Sequence, residues 1–302
     1  MGACLECPRN CRINRADGEL GFCGVGDNFV VAKSMLHAWE EPCISGRGGA
    51  GTVFFSGCNL RCVYCQNCDI SHGGIGKQMT DGELEAQIFS LVEQGAECIE
   101  FVTPTHYTSR LARLLERIKP KISVPVVWNS GGYEKVDSLR QLEGLVDIYL
   151  PDLKYFSSEL AQKYSAAPDY CEIALAAIEE MIRQVGKPQF SLGCGDPNEK
   201  GMLKRGVIVR HLVLPSHRQD SIELLKLFAK RVGTDSVLLS LMSQYTPEFY
   251  LKSVNSSSDS PLCRKLTSFE YNSVARVALN LGFDGYFQDK SSASSSFTPD
   301  FS

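Results

Sequence analysis

Short apolar runs alternate with amphipathic segments along the chain from residue 51 onward. Six of these runs predict strands, at residues 52–56, 98–102, 124–129, 146–150, 207–214 and 236–241. Runs that are apolar throughout and rich in β-branched residues are typical of strands buried on both faces of a parallel sheet. The segments between them have the character of helices, so the pattern predicts an α/β fold in which helices cover a parallel sheet.

Local chemistry predicts where several helices begin and end. Thr80 and Glu83 have the spacing of a capping box, in which each side chain bonds the backbone N–H of the other residue. Asp220 with Glu223 is predicted to begin a second helix in a similar way. A last helix is predicted at residues 268–281, with a glycine directly after it as the stop signal.

The composition is that of a soluble globular protein. The chain has 302 residues, of which 43% are hydrophobic and 22% charged. An eight-unit (β/α) barrel typically needs about 250 residues, which leaves little room for one here. Three regions are predicted: a cysteine-rich metal-binding extension at 1–45, a core domain at 46–290, and a disordered tail of low complexity at 291–302.

Charge and hydropathy argue against two classes of partner. The net charge is −4 and no long Lys/Arg run occurs, so neither nucleic acid nor an anionic membrane surface is an expected partner. No segment has about 18 consecutive apolar residues, which argues against a transmembrane helix. The first residues lack the long apolar core of a secretory signal. A cytoplasmic location is therefore expected.

Thirteen cysteines are many for this length, and most fall in short-spaced groups that suggest metal sites in a reducing cytosol. Cys58, Cys62 and Cys65 have the spacing Cys-x3-Cys-x2-Cys directly after the first predicted strand. Thiolates suit iron–sulfur clusters, and three of them fill three corners of a 4Fe-4S cube while one iron stays open to a substrate or cofactor. The alternatives are a zinc knot, which usually needs four ligands, or buried thiols without a metal.

A second group of cysteines comes before the first predicted strand. Cys4, Cys7, Cys11 and Cys23 have the spacing Cys-x2-Cys-x3-Cys-x11-Cys. Four thiolates close the coordination of a tetrahedral zinc ion or of an auxiliary iron–sulfur cluster, and the spacing does not separate the two. Unligated cysteines in a loosely folded arm are the alternative. The sequence thus predicts a second, closed metal site.

Polar residues stand at the carboxyl ends of the predicted strands, where the sites of parallel α/β folds are found. They are Thr103, Thr105 and His106 after the second strand, Asn129 at the end of the third, Asp152 and Lys154 after the fourth, and Arg210 in the fifth. A lone histidine is more often structural, and an Asp–Lys pair is often a plain ion pair. The shared position of these residues nevertheless favours a binding site over the cysteine loop.

The chain resembles radical S-adenosylmethionine (SAM) enzymes, and among them the group similar to pyruvate formate-lyase activating enzyme. The resemblance runs from about Cys4 to Phe287. It rests on the stretches Cys-Leu-Glu-Cys-Pro-Arg-Asn-Cys at 4–11, Trp-Glu-Glu-Pro-Cys-Ile-Ser-Gly at 39–46, Phe-Phe-Ser-Gly-Cys-Asn-Leu-Arg-Cys-Val-Tyr-Cys-Gln-Asn at 54–67, Thr-Pro-Thr-His at 103–106, Asn-Ser-Gly-Gly-Tyr at 129–133, Pro-Asp-Leu-Lys at 151–154, Arg-His-Leu-Val-Leu-Pro at 210–215 and Leu-Met-Ser-Gln-Tyr at 241–245.

This resemblance implies a fold and a cofactor pair. The fold is a partial (β/α)6 TIM-like radical SAM barrel, which six strand–helix repeats would fill. Cys58, Cys62 and Cys65 would bind a 4Fe-4S cluster, and the amino and carboxylate groups of S-adenosyl-L-methionine would chelate its open iron.

The resemblance also implies residue roles in SAM binding. Tyr64 would approach the adenine. Asn129, Asp152 and Lys154 would hold the methionine part, and Arg210 would pair with its carboxylate, because arginine binds carboxylates with two parallel hydrogen bonds. Activase-like enzymes hold the SAM amino group with a Gly-Gly-Glu turn after the second strand. Here Thr103, Thr105 and His106 occupy that turn, so their backbone carbonyls or the imidazole would take over the role.

The activity that the resemblance implies is that of an oxidoreductase. Reductive cleavage of SAM yields methionine and a 5′-deoxyadenosyl radical, which abstracts hydrogen from a substrate. A reducing electron donor such as flavodoxin or ferredoxin is the expected partner, and a glycyl-radical enzyme is one candidate substrate beside other peptides and small metabolites. Many glycyl-radical activases insert a ferredoxin-like module after the cluster loop, and this chain has only a short connection there. Two alternatives are a SAM-cleaving methylthiotransferase and a non-catalytic iron–sulfur or zinc protein that carries electrons or binds a partner.

Overall fold

The strands of the structure follow the apolar runs of the sequence. The computed structural model describes residues 3–72, 74–191, 201–253 and 260–288, together with 299 and 301. Within them the strands are β1 (Phe29–His37), β2 (Ala50–Phe55), β3 (Lys77–Met79), β4 (Cys98–Val102), β5 (Val126–Ser130), β6 (Ile148–Pro151), β7 (Gln189–Phe190), β8 (Leu203–Leu212), β9 (Leu238–Met242) and β10 (Gly285–Phe287). All six predicted strands are present, as β2, β4, β5, β6, β8 and β9. The predicted tail at 291–302 lies outside the described residues apart from 299 and 301.

Helices connect most of these strands. They are α1 (Pro42–Ser45), α2 (Cys68–Ser71), α3 (Asp81–Glu93), α4 (Thr108–Ile118), α5 (Val136–Arg140), α6 (Ser158–Ser165), α7 (Tyr170–Val185), α8 (Arg218–Val232), α9 (Pro247–Ser253) and α10 (Ser268–Leu281). Short 3-10 helices lie at Arg15–Asp17, Thr105–Tyr107, Lys119–Lys121 and Pro261–Cys263. No helix among the described residues is long and apolar enough to cross a membrane.

One sheet joins the strands in the order β10-β9-β8-β6-β5-β4-β2-β1-β3, with β7 paired to β8. Every pair from β2 to β10 along this path is parallel, whereas β1 is antiparallel to both β2 and β3. The parallel strands follow chain order in one direction, without the reversal that divides a doubly wound sheet. That order is what a partial (β/α) barrel requires, and the predicted α/β class is confirmed.

The central strands are buried along their whole length. Every residue of β2, β4, β5, β6 and β9 is buried, as expected for parallel strands covered on both faces. Thr52, Glu100 and Asn129 are three of the polar side chains that interrupt these apolar runs. A buried polar group must find a partner, and these three find each other in the site described below.

The capping-box prediction at Thr80 is confirmed. Thr80 Oγ1 accepts the Glu83 backbone N–H at 3.2 Å, and Glu83 Oε2 accepts the Thr80 backbone N–H at 2.8 Å. The helix α3 then buries Leu84, Ile88 and Leu91 against the sheet. The last predicted helix also has its expected bounds, since α10 ends at Leu281 before a left-handed glycine cap.

The predicted helix start at Asp220 is wrong. The helix α8 begins at Arg218, so Asp220 lies inside its first turn. The Asp220 carboxylate instead accepts the backbone N–H groups of Phe156 at 2.9 Å and Ser157 at 2.8 Å. An acidic residue in the first turn is favoured by the helix dipole whether or not it caps the helix. Here the carboxylate ties the start of α6 to α8.

The cysteine-rich extension predicted at 1–45 is partly built into the sheet. The strand β1 lies within it and pairs with β2, from Val31 opposite Phe55 to His37 opposite Ala50. Residues 3–28 form an arm ahead of β1 with a single 3-10 turn at Arg15–Asp17, and the short helix α1 follows β1. The sheet therefore begins ahead of the predicted domain boundary.

Candidate metal and cofactor site

The loop that follows β2 carries the cysteines of the Cys-x3-Cys-x2-Cys motif. Gly57 opens this loop with φ +81°, and a Cβ there would lie 2.5 Å from the Cys23 carbonyl oxygen. A side chain at this position would need a strained backbone and would displace the arm. The tight turn brings Cys58, Cys62 and Cys65 to the lining of one cleft.

That cleft lies at the carboxyl ends of the parallel strands. Its lining includes six residues that the sequence predicts for cofactor binding: Tyr64, Thr103, Asn129, Asp152, Lys154 and Arg210. Uncharged residues complete much of the lining: Gln66, Asn67, Ser71, Gln244, Tyr245, Thr246 and Phe249.

Three charged side chains meet in the lining of the cleft. Lys154 Nζ lies 2.6 Å from Asp152 Oδ2, and Arg210 Nε lies 3.4 Å from Asp152 Oδ1. Burial raises the pKa of Asp152, but the charges of Lys154 and then Arg210 outweigh it and lower the pKa overall. Burial disfavours the charged form of Lys154, yet Asp152 and then the Cys62 thiol raise its pKa. All three groups are therefore charged at neutral pH, with one positive charge in excess.

Glu100 belongs to this site and was missed by the sequence analysis. Its side chain is fully buried in β4, where Oε2 accepts the Thr52 hydroxyl at 2.8 Å and Oε1 accepts the Asn129 amide at 2.7 Å. Burial raises the pKa of Glu100. An acidic residue inside the apolar run Cys-Ile-Glu-Phe-Val was the signal that could have revealed it, because a buried carboxyl must be partnered.

Asn129 connects Glu100 to the charged group. Its amide nitrogen donates to Glu100, and its carbonyl oxygen accepts from Arg210 Nη2. Arg210 also lies 3.4 Å from Glu40 Oε2, which comes from the Trp-Glu-Glu-Pro stretch. Burial, reinforced by Glu100, raises the pKa of Glu40 well above its usual range. These contacts fix both the amide orientation of Asn129 and the guanidinium of Arg210.

Thr103 reaches the cleft through an uncommon backbone conformation. Its φ is +58°, which is an outlier for a β-branched residue. The Thr103 N–H donates to the Asn129 carbonyl at 2.9 Å, so the parallel pairing of β4 with β5 holds this conformation. Backbone strain of this kind is concentrated at functional sites.

Thr105 and His106 are not brought to the cleft lining that the other predicted residues share. Thr105 Oγ1 donates to Glu134 Oε1 at 2.8 Å, and His106 Nε2 lies 3.0 Å from the Ser56 carbonyl oxygen. A carbonyl only accepts, so Nε2 of His106 carries the proton. Burial and then the charge of Arg15 lower the His106 pKa to about 3, and the ring is neutral. These contacts give no support to the predicted cofactor roles of the two side chains.

The N-terminal cysteines lie in the arm that packs on the cysteine loop. Cys7 and Cys23 are buried, whereas Cys4 and Cys11 are partly exposed. Burial raises the pKa of the Cys7 thiol to about 12, and the nearby Cys23 and Cys11 thiols add to the rise. In the part of the chain that the structure describes, no three His, Cys, Asp or Glu side chains are placed to hold a single metal ion. A second closed site on these cysteines, for zinc or for a cluster, therefore stays a prediction.

Three cysteines line the cleft, which is the number of ligands that a 4Fe-4S cube with one open iron requires. Each ligand of a 4Fe-4S cube binds a different iron, so the thiols must surround a space wider than one ion. Burial and then the Cys62 thiol raise the pKa of Cys58 to about 11 and that of Cys65 to about 12. Such thiols lose their protons only when a cation binds.

Other residues of the cleft lining fit a zwitterionic ligand. Although Arg210 Nε approaches Asp152, it makes no hydrogen bond among the described residues, and neither does the buried Asn67 Oδ1. An unused donor on a buried guanidinium suits a ligand carboxylate. The residues present therefore match the donor set that a cluster and SAM require together.

Comparison with known proteins finds one matching domain model and one relative. Residues 44–160 match the model of a 4Fe-4S single cluster domain. This match spans Cys58, Cys62 and Cys65 and supports a single cluster on that loop. The uncharacterized protein MJ0674 of Methanocaldococcus jannaschii is 29% identical over 257 residues, which are 82% of this chain and 68% of that protein.

Three solved structures are similar to this chain at low sequence identity. Methylornithine synthase has a TM-score of 0.48 at 14% identity, over 78% of this chain and 66% of that one. SuiB of Streptococcus suis, solved with S-adenosylmethionine bound, has a TM-score of 0.47 at 11% identity, and the match spans 77% of this chain and about half, 48%, of SuiB. A spore photoproduct lyase has a TM-score of 0.49 at 11% identity, over 80% of this chain and 77% of that one.

Proposed function

We propose that this protein is a radical SAM enzyme that binds one 4Fe-4S cluster on Cys58, Cys62 and Cys65. The observation that carries the proposal is that these thiols share one cleft with the ion pair of Asp152 and Lys154. The family match over residues 44–160 supports the cluster. When bound, the cluster and SAM supply a reducing electron and a 5′-deoxyadenosyl radical that abstracts hydrogen.

The charged residues of the cleft bind and orient the methionine part of SAM. Lys154 and Arg210 offer the two cations that attract its carboxylate, and the guanidinium has an unused Nε–H for that purpose. Asp152 keeps both cations charged and in place through its contacts at 2.6 and 3.4 Å. Asn129 holds the guanidinium from the other side.

Tyr64 offers a fixed aromatic surface for the adenine. Its ring is packed edge-on against three other tyrosines, with centroids 6.5 Å from Tyr155, 6.2 Å from Tyr164 and 6.3 Å from Tyr245. Ring pairs of this geometry add stability beyond their buried area. The side chain is therefore held in one orientation beside the cluster cysteines.

The substrate and the partners are proposed from the sequence resemblance alone. A glycyl-radical enzyme is one candidate substrate, and other peptides or small metabolites are equally compatible with an outer cleft lined by Gln66, Asn67 and Gln244. The expected electron donor is a small one-electron carrier such as flavodoxin or ferredoxin.

The rival function is that of an electron carrier whose cluster has no open iron. Spectroscopy with and without SAM separates this carrier from the proposed enzyme. We expect SAM to change the electron paramagnetic resonance (EPR) spectrum of the anaerobically reconstituted, dithionite-reduced protein, because SAM binds the open iron. A Cys4→Ser/Cys7→Ser variant serves as the control, since it removes any signal from the N-terminal site. A spectrum that does not respond to saturating SAM would favour a closed carrier and contradict the proposal.

A further inference from the structure

Each sulfur of the cysteine loop accepts a hydrogen bond. The Leu60 backbone N–H lies 3.3 Å from Cys58 Sγ, as expected within a tight loop. The other two donors are serine hydroxyls from outside the motif. Ser165 Oγ lies 2.9 Å from Cys62 Sγ, and Ser71 Oγ lies 3.5 Å from Cys65 Sγ. The Ser165 contact is the shortest of these and comes from a residue far along the chain.

The Ser165 hydroxyl is the end of a chain of hydrogen bonds. Tyr155 Oη lies 2.7 Å from Ser165 Oγ, and Tyr64 Oη lies 2.6 Å from Tyr155 Oη. All three side chains are buried, with exposed fractions of 1% for Ser165, 1% for Tyr155 and 7% for Tyr64. Water therefore does not compete for these groups, and hydrogen bonds in such chains strengthen one another.

The chemistry of a cluster ligand fixes the direction of this chain. A metal-bound thiolate has no proton and only accepts, so Ser165 must donate to Cys62. A hydroxyl has one proton, so Tyr155 must in turn donate to Ser165, and Tyr64 to Tyr155. The result is a row of hydroxyl dipoles whose positive ends point at the Cys62 sulfur.

The backbone around Ser165 is held independently of the sulfur. Ser165 is the last residue of α6, and Ala166 follows in the left-handed conformation with φ +50°. The Arg9 guanidinium donates to the Ser165 carbonyl at 2.9 Å and also to the Ala166 carbonyl. The hydroxyl is thus aimed at Cys62 by the helix end and by the N-terminal arm together.

We propose that Ser165, oriented by Tyr155, is a positioning residue that raises the reduction potential of the cluster. Reduction adds negative charge to the cluster and its sulfurs, and a hydrogen bond to a more negative acceptor is stronger. The donor at Cys62 therefore stabilises the reduced state more than the oxidised state. Hydrogen bonds to the sulfurs are among the factors that set cluster potentials. This inference rests on the proposed function only for the presence of the cluster.

The test is a redox titration of the cluster in the absence of SAM, monitored by EPR. Iron and sulfide content is measured first, and the signal is assigned by its loss when Cys58, Cys62 and Cys65 are all changed to alanine. Ser165→Ala should make the reduced state about tenfold less favoured at a given potential, which is a shift of ~59 mV to more negative values. Tyr155→Phe should shift the potential in the same direction by less, because it removes only the donor to Ser165.

Ser158→Ala is the matched control, since it makes the same change at an exposed position of the same helix. Its potential should equal that of the wild-type protein. An unchanged potential in Ser165→Ala with full cluster content would overturn the inference while the proposed function stands. If that variant does not assemble the cluster, Tyr155→Phe decides: a negative shift supports the inference and an unchanged potential rejects it. A wild-type protein that binds no cluster would end both proposals.

Discussion

Arg9 Nε donates to the Asn59 carbonyl oxygen at 2.8 Å and thereby joins the cysteine-rich arm to the cysteine loop. The same guanidinium donates to the carbonyl of Ser165 at 2.9 Å and lies 3.9 Å from the centre of the Phe22 ring. One side chain thus connects the arm, the loop and the end of α6. The arm is therefore held against the loop that carries the cleft cysteines.

Arg9→Ala should lower the free energy of unfolding by about 2–4 kcal/mol, because it leaves several partly buried carbonyls without a charged donor. Hydrogen exchange should increase at residues 57–65 and 158–166, measured by mass spectrometry together with urea unfolding under anaerobic conditions. Arg9→Lys is the control that keeps the charge and loses the planar fork, so its effect should be intermediate. If both segments were as well protected from hydrogen exchange in the alanine variant as in the wild-type protein, Arg9 would not hold them together.

Asp152→Asn and Lys154→Met should each weaken SAM binding by about tenfold to a hundredfold, since a hydrogen bond to a charged group contributes about 1.5–3 kcal/mol. Equilibrium dialysis of SAM with reconstituted protein measures the affinity, and iron content should stay at the wild-type level. Asp137→Asn is the matched control, because Asp137 forms an exposed ion pair with Arg140 at 3.0 Å. Unchanged affinity in both cleft variants would remove these residues from the SAM site.

Cys4→Ser with Cys7→Ser should cost one metal centre and leave the cluster on the cysteine loop in place. Metal binding is coupled to folding of such a site, so residues 3–28 should also lose protection from hydrogen exchange. Loss of roughly four irons and four sulfides would identify an auxiliary cluster, and loss of about one zinc would identify a zinc site. Cys171→Ser is the control. If the double variant kept its full metal content, the four N-terminal cysteines would be ordinary thiols.

His106 should make the protein less stable as the pH falls below neutrality. Its folded-state pKa of about 3 lies below the usual value of 6.5. Between these pH values the imidazole of the unfolded chain binds a proton, whereas the imidazole of the folded protein stays neutral. The contribution of the neutral ring is complete above pH 6.5 and is lost as the pH falls towards 3.

Between pH 7 and pH 5 the wild-type protein should therefore lose about 2 kcal/mol more than His106→Gln does. Urea unfolding at several pH values measures this difference. His72→Gln, a change at an exposed histidine, should follow the wild-type curve. If the curves for His106→Gln and the wild-type protein were parallel, the His106 ring would take up its proton at the same pH in the folded and the unfolded protein, which contradicts the prediction.

The sequence was sufficient to predict the six central parallel strands and most of the candidate site. Buried parallel strands produce continuous apolar runs, and the residues that follow them share one edge of the sheet. For that reason Asn129, Asp152, Lys154 and Arg210 could be placed together with the cysteines from the sequence alone. The weaker edge strands β1, β3 and β10 have no comparable signal, because most of their residues are exposed or only partly buried.

Other parts of the site depend on geometry that a local pattern does not contain. The positive φ of Thr103 and the 3-10 turn after it decide that Thr103 reaches the cleft while His106 is buried elsewhere. In the sequence Glu100 is only a polar interruption of an apolar strand. Its hydrogen bond to Asn129 is seen only in the folded structure. Ser165 follows Cys62 by 103 residues, so only the folded chain shows that they touch.

The most direct test of the account is the formation of 5′-deoxyadenosine by reduced, reconstituted protein incubated anaerobically with SAM and followed by liquid chromatography. A variant in which Cys58, Cys62 and Cys65 are all changed to alanine serves as the blank. The account predicts 5′-deoxyadenosine that accumulates with time in the wild-type protein and is absent from the variant. A wild-type protein with a full, reduced cluster and bound SAM that released no 5′-deoxyadenosine would contradict the central claim.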